Sequence, residues 1–149
     1  MRELALDEFI FHGIFDKDRF MEDIELLSEI RRTCCKIIVN PSIQRKYDEK
    51  LNELLRRRDE YIHTTLLPNL RNIFFSDKIV ERGYPEKLES EDLENHDDAP
   101  FIKAALASSD KVLVTTDGRL KELLSIKLPK LRVLTPEEAR KELRRQSLQ

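Results

Sequence analysis

The chain alternates short apolar runs with longer amphipathic stretches, and this alternation predicts its elements. Glu3–Leu6 is a short apolar segment ending at Asp7, and a second apolar stretch, residues 9–15, follows. Asp16 or Asp18 can cap a helix whose apolar face is Phe20, Ile24 and Leu27, fading near residues 31–33. Lys36-Ile37-Ile38-Val39 is β-branched and reads as a buried strand. Asn40-Pro41-Ser42 then opens a helix with Pro in its first turn and Ile43, Tyr47, Leu51 and Leu54 on its core face. Another helix is expected over residues 61–75, kinked or split by Pro68.

Residues 76–94 are polar, contain Gly83-Tyr84-Pro85, and read as a loop. Asp97-Asp98-Ala99-Pro100 opens a helix in which Ala104, Ala105 and Ala107 permit close packing. Residues 111–114 form a strand ending in Thr115-Thr116-Asp117, residues 118–125 a short helix, and residues 131–134 a last strand. Thr135-Pro136-Glu137-Glu138 is a capping box with Pro at its first helical position. Strands alternating with helices predict an α/β fold: a small, mainly parallel β-sheet flanked by helices on both faces. The 149 residues, without a linker or internal repeat, are expected to make a single domain over 1–149.

Composition narrows the class. Three glycines and six prolines exclude collagen-like, low-complexity and Gly-loop phosphate-binding readings. No apolar run approaches a membrane span, and the acidic start MRELALDEF does not resemble a signal peptide. Adjacent Cys34 and Cys35 read as a reduced thiol pair, so a cytoplasmic location is expected. The net charge of −2 hides blocks: nine basic against three acidic residues over 31–58, three against nine over 77–98, and nine against four over 119–149. Separated acidic and basic zones suit a site that holds cations and meets a polyanion, although charged helices also simply solvate.

Three aspartates share one context. Asp7 follows the first strand, Asp117 lies just past the strand at 111–114, and Asp98 opens the helix leading into that strand. Sites in open α/β sheets lie at the carboxyl ends of strands. Taken singly, Asp98 and Asp117 are also favoured helix caps, and Asp7 could be a polar strand end. Together, carboxylates at one sheet edge repel unless a cation neutralises them. Hard oxygen ligands suit Mg²⁺ or Mn²⁺, which can activate water and stabilise a phosphodiester transition state.

These residues resemble the PIN-domain nucleases. Residues 98–120, DAPFIKAALASSDKVLVTTDGRL, are similar to that family's helix-opening Asp, Ala-rich helix, strand and Thr-x-Asp turn. Residues 131–138, LRVLTPEE, resemble its last strand and final helix start; residues 4–7 its first strand and first acid; residues 37–47, IIVNPSIQRKY, its second strand and following helix. The resemblance implies metal-dependent endoribonuclease activity on RNA, single-stranded by preference. Asp7, Asp98 and Asp117 would be the catalytic, metal-holding residues, with Thr115 orienting Asp117.

The chain departs from the family pattern at Lys46, where a Glu is usual, and at Phe9, where Asn or a small polar residue is common. Glu49, one helical turn beyond Lys46, is the nearer substitute ligand, with Glu53 behind it. Lys46 could instead snorkel outward to phosphate. Arg57 and Arg58, and the basic residues 140–145, could grip a nucleic-acid backbone. Two further readings stay open: a degenerate domain that binds RNA or a protein partner without cleavage, and a toxin-type nuclease restrained by an antitoxin. Self-association as a homodimer is open as well. His96 is a weaker ligand candidate, and His12 and His63 show no metal spacing.

Overall fold

β-branched and leucine-rich runs build the centre of the molecule. The computed structural model describes residues 1–13, 16–74, 76–82 and 87–148. The expected Gly83-Tyr84-Pro85 turn, Ile14 and Phe15 of the second apolar stretch, and Phe75 lie outside the described residues. Five strands, β1 (Glu3–Leu6), β2 (Lys36–Val39), β3 (Ile79–Glu81), β4 (Val112–Val114) and β5 (Arg132–Leu134), form one sheet in the order β3-β2-β1-β4-β5. Every pairing is parallel. The apolar residues of β1, β2 and β4 are fully buried, as expected of interior parallel strands covered on both faces. The fold class is therefore α/β, as the alternation predicts.

The helices are α1 (Phe9–His12), α2 (Lys17–Arg32), α3 (Pro41–Leu55), α4 (Leu67–Phe74), α5 (Glu91–Glu94), α6 (Ala99–Ala107), α7 (Gly118–Lys127) and α8 (Pro136–Ser147). The sheet steps one way from β1 to β2 to β3, then the other way to β4 and β5. Helices of the two halves meet across the sheet order, α2 packing on α8 and α3 on α6. On one face α2 packs on α4 and α8; α6 packs centrally on β1, β2 and β4. Side chains begin the longer helices: Asp16 accepts from the amides of Asp18 and Arg19, Asn40 from that of Ile43, and Thr135 with Glu138 completes a reciprocal capping box.

The structure corrects several local expectations. The polar stretch 76–94 contains β3 and α5 rather than loop alone. β3 is a three-residue edge strand, too short to show alternation and held by its register on β2. The helix expected over 61–75 is split near Pro68, as expected: a π-helical turn, Ile62–Leu66, precedes α4, whose second residue is Pro68. The wider turn shifts the backbone bonding just ahead of the residue that has no N–H to give. On α2 Phe20 and Leu27 are buried as expected, together with Asp23, Leu26, Glu29 and Ile30, while Ile24 is only partly buried. The expected thiol pair is also divided, with Cys35 buried and Cys34 exposed. Burial pushes the Cys35 thiol up to about 12.

Candidate functional site

The chain leaves β1 toward β2 on one side while β4 lies on the other, so the carboxyl edge between β1 and β4 is the topological switch point of the sheet. Asp7 is the first residue past β1, and its N–H continues the ladder to the Val114 carbonyl at 3.0 Å. It is only 7% exposed. One carboxylate oxygen accepts the Glu8 amide at 2.6 Å and the other the Thr115 hydroxyl at 2.7 Å. Burial raises the Asp7 carboxyl above its ordinary range; these two hydrogen bonds partly offset the rise.

Thr115 joins two of the three acids. Its oxygen donates to Asp7 and accepts the Asp117 N–H at 3.1 Å. It thus orients Asp7 through its side chain and hydrogen-bonds Asp117, as the sequence suggested, through the Asp117 backbone amide. Asp117 is exposed and caps α7, one oxygen accepting the amides of Arg119 at 3.0 Å and Leu120 at 3.2 Å.

Asp98 occupies the same position on α6 and caps nothing. Pro100 removes the amide of the second helical residue, and the Phe101 amide donates instead to the Asp98 carbonyl at 3.0 Å. The Asp98 carboxylate is thereby released from the helix end. Burial, then the charge of Asp7, with further contributions from Asp117 and Glu8, pushes its carboxyl up to about 6, while His96 opposes them. The His96 Nδ1 accepts the Asp98 N–H at 3.0 Å and lies 3.7 Å from its Oδ2.

Sequence reasoning missed Glu8. It is half-buried in the turn after β1, and its charge raises Asp7, Asp98 and the Tyr47 phenol. Its adjacency to Asp7 was the available signal, but neighbouring residues on an extended strand point apart, and only the turn at 7–8 turns both toward one edge. Tyr47 is buried and donates its hydroxyl to the Leu6 carbonyl, bracing the end of β1 from α3. His12, exposed on the last turn of α1, acts on the Asp7 carboxyl from outside and lowers it.

The remaining candidates lie on α3 and beyond it. The Lys46 ammonium donates to the Asp97 carbonyl at 3.3 Å and sits 5.3 Å from the centre of the Phe101 ring. Among the described residues it pairs with none of the three aspartates. Glu49 is exposed one turn further along α3. Arg57 and Arg58 follow the end of α3, roughly 22 Å along the axis from Asn40 for fifteen helical residues. Of the basic run 140–145, Arg140 pairs with Glu25 and Arg144 lies 3.7 Å from Glu29, so these two tie α8 to α2.

The donor chemistry of the edge, carboxylate oxygens with partly raised pKa values, fits a hard divalent cation. Among the described residues, no three His, Cys, Asp or Glu side chains are arranged so as to hold a metal ion. Among the described residues no helix is long and apolar enough to cross a membrane. Comparison of the chain with family models, curated proteins and solved structures finds no match.

Proposed function

We propose that the chain is a PIN-like endoribonuclease dependent on Mg²⁺ or Mn²⁺, working at the β1–β4 edge. The observation that carries this reading is the release of Asp98: a helix-opening carboxylate that caps nothing, half-buried within the field of Asp7, Asp117 and Glu8. Carboxylates held against their mutual repulsion are the residues a dication stabilises. Asp7, Asp98 and Asp117 would hold the ion, which when bound supplies Lewis acidity and offsets that repulsion. Thr115 and the Glu8 amide fix the Asp7 carboxylate, and Tyr47 braces the strand end beneath it.

The test is cleavage of single-stranded RNA with Mn²⁺ and with a chelator, for wild type and Asp98→Asn. Chelator-sensitive cleavage that Asp98→Asn abolishes is expected. Cleavage that survives both treatments would remove this reading.

Lys46 favours a second reading, a domain that binds RNA without cutting it. Where the resembling family carries an acid, this chain carries an ammonium bound to the Asp97 carbonyl. RNA binding that weakens steeply with salt, without cleavage under any divalent ion, would select it.

A further inference from the structure

We infer that Lys46 is a positioning residue for Asp98, gripping the peptide that carries it, and is neither a displaced ligand nor a phosphate contact. The inference rests on the reading of Asp98 as a working carboxylate of the site. The Asp97 carbonyl and the Asp98 N–H belong to one peptide group. Lys46 holds its oxygen end at 3.3 Å and His96 holds its nitrogen end at 3.0 Å. Gripping a planar group at both ends fixes its rotation, and that plane sets the direction in which the Asp98 side chain leaves the backbone.

Something must perform this task. Capping normally anchors a helix-opening Asp through its own carboxylate, and the Asp98 carboxylate makes no such bond. The replacement comes from α3 across the cleft. Asn40 donates to the Pro100 carbonyl at 2.9 Å, Lys46 lies over the Phe101 ring, and the Tyr47 and Phe101 ring centres stand 6.4 Å apart. The ammonium is thus committed to the first turn of α6 by a carbonyl and a ring face together. A glutamate at 46 would set an acceptor against the Asp97 carbonyl, so it would loosen the turn instead of adding a ligand.

The experiment compares wild type with Lys46→Met, Lys46→Arg and Lys46→Glu. It measures residue-resolved amide hydrogen exchange by NMR and the affinity for Mn²⁺ alone. Lys46→Met should speed exchange at the Asp98 amide roughly tenfold, in line with loss of a charge-assisted hydrogen bond, and leave the Asp117 amide unchanged. It should also weaken Mn²⁺ binding about three- to tenfold, and Lys46→Arg should restore both. Unchanged exchange at Asp98 in Lys46→Met would overturn the inference, and so would tighter Mn²⁺ binding by Lys46→Glu. If the wild type binds no Mn²⁺, the proposed function falls. Exchange then decides alone: a change confined to the first turn of α6 supports the grip, and a change spread over the chain refutes it.

Discussion

Among the described residues, carboxylates are buried in two places, and they keep different company. At the β1–β4 edge Asp7 has a donor on each oxygen, and Asp98 lies within the electrostatic reach of Asp7, Asp117 and Glu8. On α2, Asp23 is 3% exposed at the centre of the apolar face, with Leu26, Leu27 and Ile30 at the positions three, four and seven residues on. Among the described residues its Oδ2 has no hydrogen-bond partner, and burial, opposed by Arg19 and aided by Glu22, pushes its carboxyl up to about 7. Glu29, two turns later on the same helix, is equally buried but paired with Arg32 at 3.1 Å and Arg144 at 3.7 Å. A raised pKa therefore does not by itself mark a site. What distinguishes the edge is that Asp98 feels the charges of acids from two other segments, Asp7 and Asp117, both of which are held by donors, beside the sheet's switch point.

Removing each acid in turn separates the two places. Asp98→Asn should lower RNA cleavage roughly a thousandfold, about 4 kcal/mol of barrier, while Asp23→Asn leaves the rate within about twofold. Initial rates on one RNA under Mn²⁺ check this. Equal losses in both variants would erase the distinction between a working and a merely buried acid.

Stability against pH should reverse that ranking. The Asp23 carboxyl rises from 3.8 to about 7 on folding. Between these values the folded chain keeps a proton that the unfolded chain has released. The group's stabilisation is complete below about pH 3.8 and is lost as pH rises through about 7, a swing of about 4 kcal/mol. Asp98, raised from 3.8 to about 6, works in the same direction with about 3 kcal/mol. Denaturant midpoints at pH 5 and pH 8 should therefore fall between the two in wild type and fall much less in Asp23→Asn. A wild-type midpoint that climbs over this interval would contradict both shifts.

A cation should act at one place only. Mn²⁺ at a hundred times its dissociation constant would add about 2.7 kcal/mol to stability by mass action. The rise in melting temperature should vanish in Asp98→Asn and persist in Asp23→Asn. A rise that survives Asp98→Asn would move the ion away from the sheet edge.

Part of this was legible in the chain and part was not, for physical reasons. The bounds of β1 and β2, the α3 face at Ile43, Tyr47, Leu51 and Leu54, and the Thr135 capping box follow from local chemistry, and the structure bears them out. Their signals are carried by residues close in sequence. β3 escaped because three edge residues on a polar stretch are defined only by their partner β2. Asp23 escaped because a polar residue carries no periodic cue for facing inward, and α2 was read as turned toward Ile24. Asp7 and Asp117 could be assigned to one edge because strand ends in a parallel sheet share it, and Asp98 only through the helix it opens ahead of β4. That Lys46 grips the peptide before Asp98 could not, since the contact spans 51 residues and depends on how α3 crosses α6.

The smallest expected effect tests the contrast between the two helix starts themselves. Asp117 and Asp98 stand at equivalent positions, yet the first accepts two amides and the second none. Asp117→Ala should cost about 1 kcal/mol, the usual worth of a side-chain cap, and Asp117→Asn should recover most of it because an amide oxygen accepts the same bonds. Asp98→Ala loses no cap and relieves a charge held among other charges, so at pH 7 it should raise stability. Urea denaturation of the three variants beside wild type reads these signs directly. A loss of stability in Asp98→Ala comparable to that in Asp117→Ala would mean that the Asp98 carboxylate anchors α6 after all, and the case for its release from the helix end would fail.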